Sequence, residues 1–253
     1  MNEVVNNRSL LLIFISLCLL LSGCTTVSGP ADPRDPFERY NRAMYQFNDS
    51  LDKAVLKPVA KGYVAVVPEP VNKGITNFFA NLDDVVVLIN NALQLKLTQA
   101  ASDTGRVIVN TTIGLLGFID VATPIGLRKH NEDFGQTLGR WGVGSGPYLI
   151  LPILGPSSTR DAMKFFVDYD SRLNPTFRVK DTVTQNTLAA INFIDTRANL
   201  LPTSQLLETA ALDPYTFTRE AYLQRRRHLV YDGNPPIEEF EDYEDYEDDL
   251  PVE

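Results

Sequence analysis

The chain opens on an apolar block and then settles into stretches where apolar residues recur every three or four positions. The first block, Leu10 to Leu21, is 12 residues long and is interrupted only by Ser16. A bilayer-spanning helix needs about 20 residues, so this block has the length of a signal-peptide hydrophobic region. Further on, Phe37, Tyr40, Met44, Phe47, Leu51 and Val55 mark one face of a helix expected to end before Pro58. Asp35-Pro36-Phe37-Glu38 reads as its N-cap, first-turn proline and back-reaching glutamate. A second helix is expected after Pro58, with a break at Pro68-Glu69-Pro70. Val71, Ile75, Phe78, Phe79 and Leu82 form another helical face. The run Val85 to Leu97 follows, with Asp83 and Asp84 placed to cap it and Asn90 and Asn91 among its aliphatics.

From Thr98 a further helix leads into an unusual stretch. Val107 to Leu127 carries one charge, Asp120, in 21 residues, with Gly114, Gly117, Pro124 and Gly126 along it. Those glycines and the proline argue against one continuous transmembrane helix and for a bent hairpin or a helix plus loop. Two placements stay open for it: the buried centre of a globular core, or an apolar hairpin facing lipid or a lipid channel. Gly135 to Pro156 is irregular in another way, with glycines at 135, 139, 142, 144 and 146 around Trp141 and Tyr148. That density implies positive φ or close backbone approach, hence a flexible segment at Gly142, Gly144 and Gly146. Ser157 or Ser158 is expected to cap a helix carrying Phe165, Phe166 and Tyr169. Helices around Thr182–Leu200 and Thr203–Ala211 come next, and Asp213-Pro214 opens a last one that stops near Gly233. No run shows sustained β alternation and no long-period repeat is present, so the fold is expected to be mainly α-helical.

The residues after the first block change its meaning. Leu21-Ser22-Gly23-Cys24 is the pattern cut by a lipoprotein signal peptidase, with small residues before a cysteine whose thiol accepts a diacylglyceryl group. The alternative is an ordinary signal peptide or anchor followed by a chance cysteine. With cleavage after residue 23, Cys24 becomes the lipidated N-terminus of a 230-residue mature chain, and residues 24–34 form a short Pro-rich tether. Acyl chains bury roughly 0.8 kcal/mol per CH₂, so two or three hold the protein on its membrane. Thr25 lacks the aspartate that signals inner-membrane retention, which favours the outer membrane. Cys18 departs with the signal peptide, leaving no thiol pair for a disulfide or a cysteine metal site. The formal charge of −9 also misleads, because ten carboxylates and no basic residue lie between Ile237 and Glu253. Without them the balance is +1, and nothing points to nucleic acid. Residues 234–253 are read as an acidic, disordered, solubilising tail beyond a helical domain spanning 35–233.

Candidate chemistry is sparse. Ser145 lies in Gly142-Val143-Gly144-Ser145-Gly146, whereas a hydrolase nucleophile elbow needs glycine two before and two after its serine. The same glycines fit neither a dinucleotide nor a P-loop pattern. His130 and His228 are the only histidines, too few for a zinc site. His130, beside Arg128, Lys129, Glu132 and Asp133, reads as part of a solvated loop. Asp168 and Asp170 resemble the start of a calcium loop, but Arg172 occupies the third ligand position. No cofactor, metal or catalytic constellation is expected.

The ordered fragments resemble the MlaA/VacJ family of outer-membrane lipoproteins. The resemblance runs from about Asp35 to Arg227 and includes Asn41-Arg42, Phe47-Asn48, Pro58-Val59-Ala60, Asn77-Phe78 and Asn110-Thr111 with Gly114. It continues through Gly117-Phe118-Ile119-Asp120-Val121-Ala122, Phe134-Gly135-Gln136-Thr137-Leu138-Gly139 and Gly142-Val143-Gly144-Ser145-Gly146-Pro147-Tyr148. Asp213-Pro214-Tyr215 and Arg219-Glu220-Ala221-Tyr222-Leu223-Gln224-Arg225 close it. The resemblance implies a ring-like bundle of amphipathic helices in the inner leaflet of the outer membrane, around an amphipathic channel. It implies removal of misplaced phospholipid from the outer leaflet, association with trimeric porins and delivery to a soluble periplasmic carrier. By that analogy the stretch from about Asn110 to Asp133 borders or gates the channel. Gly114, Gly117 and Gly126 would be its hinges, Phe118 part of it, and Asn110, Thr111 and Thr112 polar candidates for headgroup contact. A structural lipoprotein and a phospholipid hydrolase are the competing classes.

Overall fold

The computed structural model describes residues 32–169 and 174–236. The signal peptide, Cys24, most of the tether, Asp170, Arg172 and the acidic residues from 237 onward lie outside the described residues. Helix α1 (Glu38–Leu51) runs through a π-helical turn (Asp52–Leu56) into α2 (Lys57–Val66). Pro58 therefore does not separate two helices. Proline removes one backbone donor and crowds the preceding turn, and the widened turn, in which the Lys57 N–H reaches Asp52 O, absorbs the misfit.

Helix α3 spans Glu69–Leu93 without interruption, and α4 spans Leu97–Thr112, packed antiparallel on it. Asp83 and Asp84 consequently sit inside α3 and cap nothing. Asp84 is buried and pairs with Arg106 at 3.2 Å and with Lys129. After a long loop, α5 (Phe134–Arg140) starts on Asp133, whose carboxylate accepts the Gln136 N–H. Two short strands follow, β1 (Tyr148–Leu151) and β2 (Gly155–Ser158), paired antiparallel with Tyr148 opposite Ser158 and Leu151 opposite Gly155. Four residues are too few to show alternation, which is why the periodicity predicts no strand here. Ser158 closes β2 and its hydroxyl accepts the Asp161 N–H. The phenylalanines expected on an α-helix lie instead in a π-helical turn, Phe165–Tyr169. A 3₁₀ turn (Pro175–Arg178) leads to α6 (Thr182–Asn199), α7 (Leu201–Ala210) and α8 (Pro214–Val230). Asp181 and Asp213 cap α6 and α8 through the Thr184 and Tyr215 N–H groups.

The free edge of β1 is covered by side chains of α1. The Asn41 amide donates to Tyr148 O at 3.0 Å and accepts from the Ile150 N–H at 2.8 Å. Asn48, two helical turns further, does the same with Leu151 O and the Ile153 N–H. Two side-chain amides thus stand in for a third strand and blunt the edge. Asp35 was expected to cap α1, but it faces Asn41, Arg219 and the Tyr215 hydroxyl instead, and no side chain caps that helix. A small apolar cluster of Met44, Tyr148, Ile150 and Tyr215 fills the space between α1, the hairpin and α8.

Elsewhere the usual burial pattern is inverted. Among the described residues, more polar and charged side chains are buried than apolar ones, including Asp84, Asn90, Asn91, Asp103, Arg106, Thr137 and Asp161. Large aliphatic and aromatic residues are exposed along α2, α4, the loop after it and the β1–β2 turn. No helix among the described residues is long and apolar enough to cross a membrane.

Candidate functional site

The loop after α4 is built on one residue. Asn110 is 3% exposed, and its side-chain oxygen accepts the N–H groups of Val121 and Ala122, both at 2.9 Å. Its amide donates to Asp120 Oδ1 at 3.1 Å, and its backbone oxygen receives the Gly117 N–H. The polar residue read as a headgroup contact is therefore fully engaged in holding the loop closed. One turn earlier Arg106, also buried, donates to Thr123 Oγ1 at 2.9 Å and Leu127 O at 2.6 Å while pairing with Asp84. Thr111 accepts from Asn81 on α3, and exposed Thr112 donates back to Ile108 O within its own helix.

The loop's glycines separate by role. A Cβ at Gly114 would stand 2.1 Å from Ile119 O, and one at Gly117 would stand 2.5 Å from the Asn81 side chain, where φ is also +95°. Close packing alone thus demands glycine at both positions. Gly126 has φ +92° but open space around it. Phe118 stacks on Phe78, with ring centroids 5.1 Å apart, and lies over Gly74. Between these anchors Leu115 and Leu116 adopt φ of +53° and +61° and are each almost two-thirds exposed. Left-handed backbone costs roughly 1–2 kcal/mol per non-glycine residue, and here it turns two leucines outward beside exposed Ile113, Ile119 and Ile125. No local signal announces left-handed leucines, and the sequence reading misses them.

Gly142, Gly144 and Gly146 lie in the connection from α5 to β1. Gly142 and Gly144 have free space, whereas at Gly146 φ is +65° and Thr159 Oγ1 would meet a Cβ at 2.0 Å. The connection is fastened where Arg160 donates from its backbone N–H to Ser145 O and from its guanidinium to Val143 O. Ser145 has no histidine partner among these contacts.

On the inner side a cavity of about 510 Å³ is bounded by α3, residues 131–136, β2, the π-helical turn and α8. A second, of about 770 Å³, lies among α1, the hairpin, α6, α7 and α8, and Pro156 borders both. The first has charged walls. Arg226 bridges Asp133 at 2.6 and 2.9 Å and Asp161 at 2.8 Å. Burial pushes both carboxyls up, but the Arg226 charge outweighs it and holds them below the usual range. Burial beside Asp161 pushes the Tyr222 hydroxyl up, so it stays protonated and donates to that carboxylate at 2.6 Å. Asp168, 4% exposed, is pushed up to about 6 by burial, although the Phe134 N–H and the Asn90 amide both donate to it. Asp83 combines two properties that seldom coincide. Its surface is open, yet desolvation by surrounding protein raises its carboxyl, with Asp84 and Asp133 adding like charge. Solvent reaches the group while protein encloses it at longer range, and the Lys129 and Lys164 charges only partly oppose the rise.

The segment 128–133 is both solvated and ion-paired, with Arg128, Lys129 and Asn131 exposed. His130 Nδ1 lies 2.7 Å from buried Asp103, and Glu132 pairs with Lys96 at 2.9 Å. Among the described residues no group of carboxylates, histidines and cysteines could hold a metal.

Many buried polar groups, many exposed apolar residues and a charged cavity occur together here, with no membrane-spanning helix among the described residues. A model of the MlaA lipoprotein family matches residues 33–229. The chain belongs to the MlaA lipoprotein family. It is 36% identical over 236 residues to the intermembrane phospholipid transport system lipoprotein MlaA of Escherichia coli strain K12, covering 91% of this chain and 92% of that protein. The protein of the same name from Haemophilus influenzae is 34% identical over 221 residues, with 85% and 88% covered. A Rickettsia bellii protein of unassigned role is 33% identical over 239 residues, with 88% and 93% covered. A solved structure described as the structural basis for maintenance of bacterial outer membrane lipid asymmetry superposes with a TM-score of 0.68 at 34% identity, covering 79% of this chain and 99% of that one. The MlaA match takes in both the Asn110 loop and the charged cavity.

Proposed function

We propose that this chain is the outer-membrane lipoprotein of an intermembrane phospholipid transport system, a passive conduit that removes misplaced phospholipid from the outer leaflet and so maintains lipid asymmetry. The inverted burial carries this reading. In water, exposing so many aliphatic side chains costs about 25 cal/mol per Å², whereas in the inner leaflet those side chains meet acyl chains. The polar and charged residues lining the cavity then offer a path for headgroups rather than an oily core. Amphipathic helices forming a ring in the inner leaflet, with residues 110–133 bordering an amphipathic channel, fit both halves of the pattern. Acylation at Cys24 would orient this ring and raise its local concentration.

The partners follow from the same route: phospholipid as cargo, trimeric porins as neighbours in the outer membrane, and a soluble periplasmic carrier to receive the lipid. The test is a leaflet-resolved phospholipid assay in cells lacking the protein. Surface phospholipid accumulates if the chain is a conduit. Unchanged asymmetry would leave a structural lipoprotein. Loss of transport on Ser145→Ala, with the protein level unchanged, would instead favour a hydrolase.

A further inference from the structure

The charged cavity carries more polar groups than its internal pairing uses. Glu132 is taken by Lys96 and Gln94, and Asp133 and Arg226 are taken by each other. Four charged side chains on its wall are left loosely held or free. Asp83 and Arg225 form no ion pair among the described residues, Lys164 reaches Asp133 only at 3.8 Å, and Asp168 is held by neutral donors. Two negative and two positive groups thus share one wall with little direct pairing, although the Lys164 charge eases the ionisation of Asp83. Gln136, 3% exposed and lining the same cavity, has a buried side-chain oxygen that no protein group donates to. Buried acceptors without donors are rare and call for an explanation.

A purely anionic ligand would satisfy Arg225 and Lys164 but leave Asp83 and the Gln136 oxygen with nothing to accept. A purely cationic one would do the reverse. A ligand carrying one phosphodiester and one primary ammonium answers both halves. We propose that this cavity is a headgroup subsite for zwitterionic phosphoethanolamine, with Arg225 and Lys164 on the phosphate and Asp83 and the Gln136 oxygen on the ammonium. Its volume of about 510 Å³ lies within the range of roughly 300–1,000 Å³ common for small-molecule sites. The raised carboxyl of Asp83 agrees, since desolvation outweighs the Lys129 and Lys164 charges and an incoming ammonium would supply a direct partner. The subsite deepens the transport reading and rests on it for its biological cargo, but headgroup binding itself is measurable without transport.

The experiment uses the full lipoprotein in detergent micelles, titrated with glycerophosphoethanolamine, glycerophosphoglycerol and inorganic phosphate. The ethanolamine compound should bind most tightly. Because charge-assisted hydrogen bonds are strong, Asp83→Asn should weaken it about ten-fold or more while sparing the glycerol compound. Arg225→Gln should weaken both. Neither side chain holds an internal ion pair, so neither variant should unfold below the parent temperature, and Asp83→Asn, which removes a desolvated charge, should unfold at or above it. Equal affinity for all three probes, or no response to Asp83→Asn, overturns the subsite. A second arm measures which lipids leave vesicles of equal phosphatidylethanolamine and phosphatidylglycerol for a soluble acceptor. Transfer of both lipids in a ratio indifferent to Asp83→Asn sinks the subsite and leaves the conduit standing. Selective headgroup binding with no lipid transfer supports the subsite and sinks the conduit.

Discussion

Replacing Asn110 by alanine separates two roles for the residue at the centre of the α4 loop. In the structure its side chain makes three hydrogen bonds, two from backbone N–H groups and one to Asp120. Alanine deletes all three and leaves the Ala122 N–H without an acceptor in a residue that is fully buried. An abandoned buried donor costs about 1–3 kcal/mol, and each of the other two bonds contributes about 1 kcal/mol net. The expected loss is therefore about 3–5 kcal/mol, a large part of the roughly 5–15 kcal/mol that holds a typical domain together. Denaturant unfolding in detergent reads the total, and amide exchange at Val121 and Ala122 localises it. Exchange there should accelerate by at least about a hundred-fold, following about 3 kcal/mol of lost protection. Asn110→Asp keeps the two accepted bonds but sets a second carboxylate against Asp120, so the amides stay protected while the loop becomes more sensitive to pH. If Asn110→Ala abolished lipid transport while stability changed by less than about 1 kcal/mol and both amides exchanged as before, the residue would be a lumen contact and the tie argument wrong.

Three further outcomes follow from the same geometry. Gly117→Ala should cost about 2 kcal/mol or more, because a Cβ meets Asn81 at 2.5 Å on a backbone with φ +95°, whereas Gly144→Ala, in open space, should stay within about 0.5 kcal/mol. Unfolding midpoints of the pair decide it. Burial pushes the Asp168 carboxyl up to about 6 in the folded protein from the usual 3.8, so the folded state keeps a proton that the unfolded chain loses first. Its contribution is full below about pH 4 and is lost as pH rises to about 6, up to about 3 kcal/mol, and the stability difference between parent and Asp168→Asn should fall across that window and flatten above it. Leu115→Ser with Leu116→Ser should reduce vesicle partitioning of a secreted form lacking Cys24 by about ten-fold or more, since two outward leucines leave the acyl phase; unchanged partitioning would place this loop away from lipid.

Much of the helical framework was legible because helix signals are local. Asp213-Pro214 announces a cap and a first-turn proline, and α8 begins there. The three- and four-residue spacing of Phe37, Tyr40, Met44 and Phe47 marks α1. Pro58 misled because a π-helical turn depends on the surrounding packing and leaves no mark in residue type. Asp83 and Asp84 read as a cap because paired acids usually sit at helix starts. Here Arg106 and Lys129, brought in from α4 and the following loop, make an acid tolerable inside α3. The sequence groups the candidate residues in one loop but does not show their contacts. Asn110, Gly114, Gly117 and Phe118 do lie together, yet the first closes the loop and the two glycines are there because neighbours come too close.

Periodicity, caps and the Leu21-Ser22-Gly23-Cys24 pattern need only neighbouring residues, so the sequence alone determines a mainly helical chain, offers a lipoprotein-type processing pattern and shows no recognisable catalytic motif. Which face of each helix turns inward depends on partners far along the chain. Only the tertiary structure puts Arg226 between Asp133 and Asp161, turns Leu115 and Leu116 outward, and leaves Asp83 open to water yet enclosed by protein. The apolar stripe of an amphipathic helix can be buried in a core or offered to lipid, and its sequence is the same in both cases. Here buried Asp84, Asp103 and Arg106 occupy interior positions while Ile113, Leu115 and Leu116 stand exposed, an arrangement that only long-range packing sets.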